Sequence, residues 1–301
     1  MRTRALLTTF LAAALAAPCA AATGTAGADP FAFLALDANA RPVALGGAYT
    51  ALASDANALL YNPGGLGLVR AHEATFMHNQ YFAGITQDYA AFASRGGWSA
   101  SINHLGLGKV PRTTLSNPDG DGTVSYSDLA LEGGYGHALT DSLSVGAGVK
   151  YIRESFDIVG IQAYALDLGA LYSVGPLPGL TVGVAAQNIG PATSRTREQL
   201  PRTFRAGTAY TFTVAGSSQT VAVDVMKERV ENAFAAVGVE TYFLKPLALR
   251  FGYNTANAMG TGLSVGFGYS YRGLGVDYAY VPLGPAGDAH RISVTARWGA
   301  R

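Results

Sequence analysis

Short segments in which apolar residues alternate with small or polar residues recur along most of this chain. Clear examples are residues 143–151, 247–254 and 263–272, where Leu, Val, Ala, Phe and Tyr occupy every second position. Side chains of a β-strand point alternately to opposite faces, so each segment predicts a strand with one apolar face. We predict about fourteen such strands, at residues 72–80, 86–95, 97–105, 124–135, 142–153, 162–174, 180–189, 203–213, 218–227, 233–244, 246–255, 262–272, 274–282 and 290–298.

The apolar faces of these strands are suited to lipid. Only 14% of the residues are charged, against about 25% in an average soluble domain. No segment after residue 22 has the ~20 apolar residues of a membrane helix, so a membrane-spanning chain of this kind must form a closed barrel. A soluble β-sandwich would need a solvent face rich in Lys, Glu and Asp, whereas the polar face here is mostly Gly, Ser, Thr and Ala. We therefore expect an all-β fold: a transmembrane antiparallel β-barrel of about fourteen strands.

The first 22 residues have the pattern of a secretory signal peptide. Two early arginines precede an apolar run at 5–17 and then a series of small residues, which is the order of regions in such signals. We expect cleavage after Ala22, with Ala28 as the alternative. Cys19, the single cysteine, would leave with the signal, which excludes disulfides and thiol catalysis. Export combined with a barrel predicts the outer membrane of a Gram-negative-type bacterium.

Residues 23–70 precede the barrel, which we place at 71–301, and are predicted to form a hatch. A barrel of eight strands is filled by its own side chains and one of sixteen holds an aqueous channel, so fourteen strands call for a plug. Ser54 is predicted to cap a short helix over 55–60. Glycine pairs would allow close approach to the wall. The candidate hatch residues are Gly46, Gly47, Asp55, Asn62, Pro63 and Gly64.

Alternation also places a set of charged side chains on the lumen face. Both signs are present, and buried charges need partners. Two interpretations stay open: a network that stabilises the barrel and its hatch, or a lining that selects the cargo. The predicted lumen charges are Asp128, Glu132, Lys150, Asp167, Arg205, Asp224, Arg250, Arg272, Asp277, Arg291 and Arg297.

One acidic segment, at 117–128, has the spacing of a calcium-binding loop. Asn117, Asp119, Asp121 and Asp128 fall at positions 1, 3, 5 and 12 of that pattern. The segment departs from that pattern in three ways: its first residue is Asn, its last residue is Asp rather than a bidentate Glu, and it lacks flanking helices. A turn-rich surface loop explains the same residues.

Other chemistry is weakly indicated. Gly262 to Gly266 spell G-x-S-x-G around Ser264, but a nucleophile elbow needs a strand-to-helix turn and this copy lies inside an alternating strand. The five histidines lack ligand spacing, and the 21 basic and 20 acidic residues nearly balance, which gives no sign of nucleic-acid binding. We expect a non-enzyme with no cofactor and no metal.

Residues 41–67, RPVALGGAYTALASDANALLYNPGGLG, resemble the N-terminal signature of the PorV/PorQ family, within the wider superfamily of FadL-like transporters. Gly64 stands where that signature commonly has alanine. Residues 187–190, 249–253 and 276–294 also resemble the family. The resemblance implies a fourteen-stranded outer-membrane barrel with an N-terminal hatch.

Two roles are implied by this resemblance. PorV-like members hold or shuttle exported proteins in type IX secretion, and protein export or surface attachment is our first expectation. FadL-like members pass hydrophobic small molecules inward, which is the alternative. The implied partners are outer-membrane lipid, secretion-system or exported proteins, and hydrophobic small molecules. In the loop at 106–123, Lys109, Val110 and Arg112 are candidate contacts on the extracellular side.

Overall fold

The computed structural model describes residues 30–81, 84–113, 116–118, 120, 122–191, 193, 199–244, 246–256 and 260–299. The predicted signal peptide, 1–22, lies outside these residues. Across the described residues, fourteen strands form one closed antiparallel barrel. Each strand pairs with its sequence neighbours, and the first strand pairs with the last. This architecture confirms the predicted fold class. The strands are β1 His72–Gln80, β2 Ile85–Ala93, β3 Trp98–Pro111, β4 Thr123–Ala138, β5 Leu143–Phe156, β6 Val159–Ser173, β7 Leu180–Ile189, β8 Thr203–Val214, β9 Ser217–Glu228, β10 Phe234–Leu244, β11 Leu247–Asn254, β12 Leu263–Tyr271, β13 Leu274–Pro282 and β14 Asp288–Trp298.

The outer face of the barrel is apolar, as a lipid-facing wall requires. Its outward positions carry exposed Val, Leu, Ile and Phe side chains along nearly every strand. Aromatic residues gather near the end where β1 begins and β14 ends, with Trp98 65% exposed and Trp298 stacked beside His72. We call this end the terminal rim. Such an aromatic band is typical of a membrane interface.

Residues 30–71, before β1, fold into short helical segments inside the barrel. They comprise a 3₁₀ helix at Ala32–Ala35, helix α1 at Ala40–Ala44, helix α2 at Ala58–Tyr61 and a 3₁₀ helix at Pro63–Leu68. Helix α1 packs against β11 to β14, and the second 3₁₀ helix packs against β4, β5 and β6. None of the helices in the described part of the chain has the length and apolarity needed to cross a membrane. We call residues 30–71 the hatch segment.

The helix predicted at 55–60 begins later than expected. Helix α2 starts at Ala58, and Ser54 is exposed, with its hydroxyl bonded to the carbonyl of Leu52 rather than capping the helix. Asp55 accepts from the backbone N–H of Asn57 at 3.0 Å. Asp55 instead contacts the side chains of Tyr49 and Arg41, and these tertiary contacts override the local preference for capping a helix.

Four adjacent strands, β3 to β6, are longer than the sequence predicted. Pairing of β2 with β3 ends at Leu107, and pairing of β6 with β7 ends at Leu166, yet β3 to β6 continue together past both points. We call these upper parts, residues 108–111, 123–127, 153–156 and 159–165, the β3–β6 extension. Polar and apolar residues still alternate in the extension, but there most outward residues are polar and most inward residues are apolar. A lipid-facing strand has the reverse arrangement, and that arrangement was the basis of the strand prediction.

Candidate functional site

The hatch segment is bound to one side of the barrel by a chain of buried charges. Arg41, in helix α1, forms a fork with Glu240 of β10, with both N–O distances 2.9 Å. Arg250 of β11 donates to the same carboxylate at 2.6 Å and to Asp277 of β13 at 2.7 Å. Forked guanidinium–carboxylate bonds are strong and directional, so this chain fixes helix α1 against the wall.

A second group of bonds holds the turn that follows helix α1. The Oδ2 atom of Asp224, in β9, accepts from the backbone N–H groups of Tyr49 and Thr50 at 3.1 and 2.9 Å, and from the Thr50 hydroxyl. Arg205 of β8 donates to the carbonyl of Gly47 at 2.9 Å and to the Thr50 hydroxyl at 3.2 Å. The two charged side chains therefore hold one turn of the hatch between them.

Asp55 lies inside this network rather than at a helix terminus. The hydroxyl of Tyr49 donates to its carboxylate, and Arg41 lies 3.5 Å from the same oxygen. Burial raises the pKa of the Tyr49 phenol well above its usual value, and the neighbouring Asp55 raises it further. The phenol therefore stays neutral and keeps its proton for the hydrogen bond to Asp55.

On the opposite side of the lumen the charges pair within the wall. Lys150 of β5 lies 3.0 Å from Asp167 of β6 and 3.7 Å from Glu132 of β4, and it donates to the Asn188 amide oxygen at 3.0 Å. All of these side chains are buried. Asp128 of β4 accepts from the hydroxyl of Tyr126. This cluster ties neighbouring strands together and forms no ion pair to the hatch among the described residues.

Contact between the hatch and the β4–β6 wall is made by backbone atoms across glycines. A Cβ atom added at Gly64 would lie 2.6 Å from the Cα of Ala170 in β6. Gly65 packs within the hatch itself, where a Cβ would lie 1.3 Å from the carbonyl oxygen of Ala53. On the wall, a Cβ at Gly146 would lie 2.1 Å from the Pro63 carbonyl oxygen. Only glycine allows backbones to come this close.

Asn62 anchors this contact with three bonds. Its side-chain nitrogen donates to the carbonyls of Thr50 and Ala170 at 2.9 and 3.0 Å, and its side-chain oxygen accepts from the N–H of Gly64 at 3.0 Å. It is fully buried. One side chain therefore joins two hatch turns to strand β6, which explains why an asparagine precedes the Pro-Gly turn.

The other predicted hatch glycines lie on the charged side. Gly46 has φ of 69°, and its carbonyl accepts from the side chain of Asn254 at 3.0 Å. Gly47 has φ of 85°, and a Cβ there would lie 2.5 Å from the Asp37 carboxylate. Helix α1 therefore ends in a left-handed pair that only glycines adopt without strain.

The structure places the remaining predicted lumen charges in different surroundings. Arg291 is buried and donates to the hydroxyl of Tyr81 at 2.8 Å. Arg297 pairs with Glu73, its partner across the seam between β1 and β14. The prediction for Arg272 is wrong: it lies in the turn after β12, exposed, with its guanidinium over the outward ring of Tyr271. Because Arg272 is a turn residue with φ of 50°, the alternation of strand β12 no longer determines the direction of its side chain.

Sequence reasoning missed three charges of this site. Glu240 and Glu73 have the strand parity of their inward neighbours, so alternation could have found them. Arg41 lies in the hatch segment, where no strand parity exists, and its pairing with a residue 199 positions away needed the tertiary structure.

The structure also places the residues of the calcium-type segment at 117–128 and of the G-x-S-x-G motif around Ser264. Asp128 lies in the middle of β4 on the lumen wall, not in a loop, so the last position of the calcium pattern is a strand residue. Asn117 is a single bridge residue between turn residues 116 and 118, while Asp119 and Asp121 fall outside the described residues. No cluster of three metal-ligating side chains occurs in the part of the chain that the structure describes. Ser264 is buried within β12 and does not form a nucleophile elbow.

A cavity of about 400 Å³ lies in the lumen against the hatch segment. Aliphatic and aromatic side chains form much of its lining. Five charged side chains of the described residues also line it: Asp37, Lys150, Arg205, Glu228 and Arg291. The apolar side chains that matter below are Leu34, Leu36, Tyr81, Ile85, Leu105 and Leu283. The volume falls within the range of ligand pockets, about 300–1,000 Å³.

No family model and no curated protein matches this sequence. Solved structures share its fold. The toluene transporter TbuX of Ralstonia pickettii has a TM-score of 0.61 at 15% identity, over 87% of this chain and 98% of that one. The monoaromatic hydrocarbon channel CymD has a TM-score of 0.56 at 13% identity, over 85% and 96%. The toluene transporter TodX of P. putida has a TM-score of 0.56 at 10% identity, over 82% and 95%. This chain therefore shares its closed antiparallel barrel fold with these two transporters and this channel.

Proposed function

We propose that this protein is a non-catalytic channel that admits small hydrophobic molecules across the outer membrane of a Gram-negative-type bacterium. The observation that carries the proposal is the cavity of about 400 Å³ in the lumen. Several apolar side chains line it, among them Leu36, Ile85 and Leu105. A cavity that only passed ions or polar solutes would gain nothing from such a lining, whereas an apolar solute is stabilised by each apolar surface removed from water.

A route into the cavity is provided by the β3–β6 extension. Cross-strand partners share a face of the sheet, so Val110, Phe156 and Ile161 lie on the inner side with Tyr126. Their apolar surface continues downward to Leu105 at the cavity wall. A hydrophobic molecule arriving from outside would therefore meet a continuous apolar surface from the tip of the extension to the cavity.

We place the terminal rim on the periplasmic side. The turns at that rim include two-residue turns at 215–216 and 272–273, whereas the opposite rim carries the extension and the long connection at 190–202. Outer-membrane barrels have short periplasmic turns and longer extracellular loops. The cavity then opens toward the outside, and the hatch segment lies between it and the periplasm.

The structural neighbours support this proposal, since two toluene transporters and a monoaromatic hydrocarbon channel share the fold. At identities of 10–15% they support the architecture, and the choice of hydrophobic cargo rests on the cavity. Toluene is the natural first probe.

A matched pair of variants on strand β3 tests the proposal. Leu105→Trp fills the cavity, and Ile102→Trp makes the same change on the lipid face of that strand, where Ile102 is exposed. We expect Leu105→Trp to reduce uptake of radiolabelled toluene by intact cells to the level of cells without the protein, and Ile102→Trp to leave it unchanged. Equal uptake by both variants and the wild type would contradict the proposal.

Protein export is the second candidate, and one observation favours it. The tip of the extension exposes apolar side chains, with Ile158 93% exposed and Phe156 and Val159 more than half exposed. Exposed apolar groups of this kind mark binding surfaces. Of the predicted contacts, Val110 is exposed nearby and Arg112 pairs with Asp157 in the turn of the same hairpin, while nothing is described for the side chain of Lys109.

The two candidates respond differently to a change at this tip. Ile158→Ser should leave toluene uptake nearly unchanged if the protein is a channel, because Ile158 lies in the turn between β5 and β6 and does not line the cavity. If the tip holds exported proteins, the same variant should release them from the outer-membrane fraction. Cell fractionation and the uptake assay on one strain therefore separate the two functions.

A further inference from the structure

The first described residues of the hatch segment fill a compartment in the wall of the barrel. Phe31 and Phe33 are 0% and 3% exposed. They belong to a buried cluster with Leu105, Ile152 and Leu200, and with three alanines, at 130, 163 and 165. The alanines leave room at the wall, and the aromatic rings of the hatch complete the packing.

The backbone at Phe31 is held in an unfavourable conformation. Its φ of 60° lies in the left-handed region, where a bulky residue is a genuine outlier. The N–H of Phe31 donates to the carboxylate of Glu154 at 2.6 Å, and this bond helps to keep the residue in place. Strained residues persist where the surroundings hold them and are frequent at ligand clamps and switches.

The compartment of Phe31 adjoins the open cavity. Leu105 belongs both to the cluster around Phe31 and to the lining of the cavity, and Leu34 packs on that cluster while also lining the cavity. The side chains of Leu34, from the hatch, and Leu105, from strand β3, therefore separate a molecule in the cavity from the compartment.

We infer that the compartment of Phe31 is a second binding site for a monoaromatic molecule, occupied in the resting protein by the chain's own phenyl ring. A ligand of toluene size enters the cavity, the strained strap 30–36 moves, and the ring of the ligand replaces that of Phe31. The strap thus acts as an internal competitor that gives way to a molecule of its own shape. This inference rests on the proposed function and specifies its ligand as a ring-shaped hydrocarbon.

Competition by the strap lowers the apparent affinity of the site. A ligand that binds a minor state has its apparent dissociation constant raised by the inverse of that state's population. Minor states of this kind are populated at about 10% or less. Removing the ring should therefore tighten binding at least about tenfold.

The test is binding of 4-fluorotoluene, followed by ¹⁹F NMR, to the full barrel purified in detergent. Phe31→Ala is expected to bind the probe at least about tenfold more tightly than the wild type. Phe31→Trp, which keeps the compartment filled, should bind no more tightly than the wild type. The two variants share the same detergent and the same cavity, so partition of the probe into micelles cancels between them.

A third variant keeps the experiment decisive if Phe31→Ala fails to fold. Glu154→Gln retains the phenyl ring but weakens its backbone anchor, so it should bind the probe more tightly than the wild type and less tightly than Phe31→Ala. Folding of each variant is checked by heat-dependent migration on a gel. Equal affinity in the wild type, Glu154→Gln and whichever of the two Phe31 variants folds would overturn the inference.

The outcomes separate this inference from the proposed function. If Leu105→Trp abolishes toluene uptake but Phe31→Ala leaves probe affinity unchanged, the channel stands and the second site is refuted. If Phe31→Ala tightens binding while wild-type cells take up no toluene, the site stands and the channel function fails.

Discussion

The two sides of the lumen hold the hatch segment by different means. On the β8–β13 side, charges cross from wall to hatch: Glu240 binds Arg41, and Asp224 binds the turn at Thr50. On the β4–β6 side, Lys150 is paired within the wall, and among the described residues the hatch meets this wall without an ion pair, through backbone contacts at glycines such as Gly146. Glycines of the β8–β13 side, such as Gly252, make similar close contacts with the hatch, so the ion pairs are what distinguishes that side. The first kind of contact can open and re-form with water as a substitute partner, whereas the second needs close shape complementarity. We therefore expect opening of the hatch to begin at the ion pairs of the β8–β13 side.

The largest effect should come from the contact of the hatch with the β4–β6 wall. A side chain at Gly64 cannot be accommodated, because its Cβ would lie 2.6 Å from the Cα of Ala170 in β6. Gly64→Val should destabilise the seated hatch by about 3 kcal/mol, so the purified barrel should conduct ions in planar bilayers. Gly133→Val is the control, since a Cβ at Gly133 meets nothing within 4 Å. Conductance equal to that of the control would show that the glycine contacts do not seat the hatch.

The next effect is expected at Glu240. Glu240→Gln removes the nearer of the two buried carboxylates that pair with Arg41 and weakens the bond to Arg250. Breaking a buried pair in this way costs about 3–5 kcal/mol. Urea unfolding followed by tryptophan fluorescence measures the loss. Adding Arg41→Met should recover part of the lost stability, because it removes the charge that residue 240 no longer neutralises. Strictly additive losses would argue against a pairing of Arg41 with Glu240.

Lys150→Met sharpens the comparison because it breaks the network on the other side. It leaves the carboxylates of Glu132 and Asp167 without their shared cation. We expect a loss of about 2–3 kcal/mol in the free energy of unfolding, with no rise in bilayer conductance, since this cluster does not bind the hatch. Unchanged stability together with altered toluene uptake would instead favour a lumen lining that selects cargo.

The smallest effect is expected at Arg272, outside the lumen. Its side chain is exposed and stacks on Tyr271 at the terminal rim. Arg272→Ala should change the free energy of unfolding by no more than about 0.5 kcal/mol, measured in the same urea series. A loss as large as that of Lys150→Met would mean that this arginine also joins a network.

The lengths of the strands show where prediction from alternation stops. Strands β11 to β14 were placed within two residues of their observed bounds, because their outer faces are apolar along their length. At their upper ends, strands β3, β5 and β6 run six, three and three residues beyond the prediction, whereas β4 gains one residue there and three at the terminal rim. Outward positions in these upper parts become polar, as at Ser155, and the pattern of a lipid-facing strand ends although the strand continues.

Alternation, sparse charge and a terminal glycine-rich segment were enough to predict a fourteen-stranded barrel and the inward direction of charges such as Asp167 and Asp224. Those properties are local, because the parity of a strand residue depends only on its neighbours. The pairing of Arg41 with Glu240, the fit of Gly64 against Ala170 and the burial of Phe31 were decided by the tertiary structure. Each joins atoms that meet only after the barrel has closed around the hatch, since closure and stagger of all the strands set their positions.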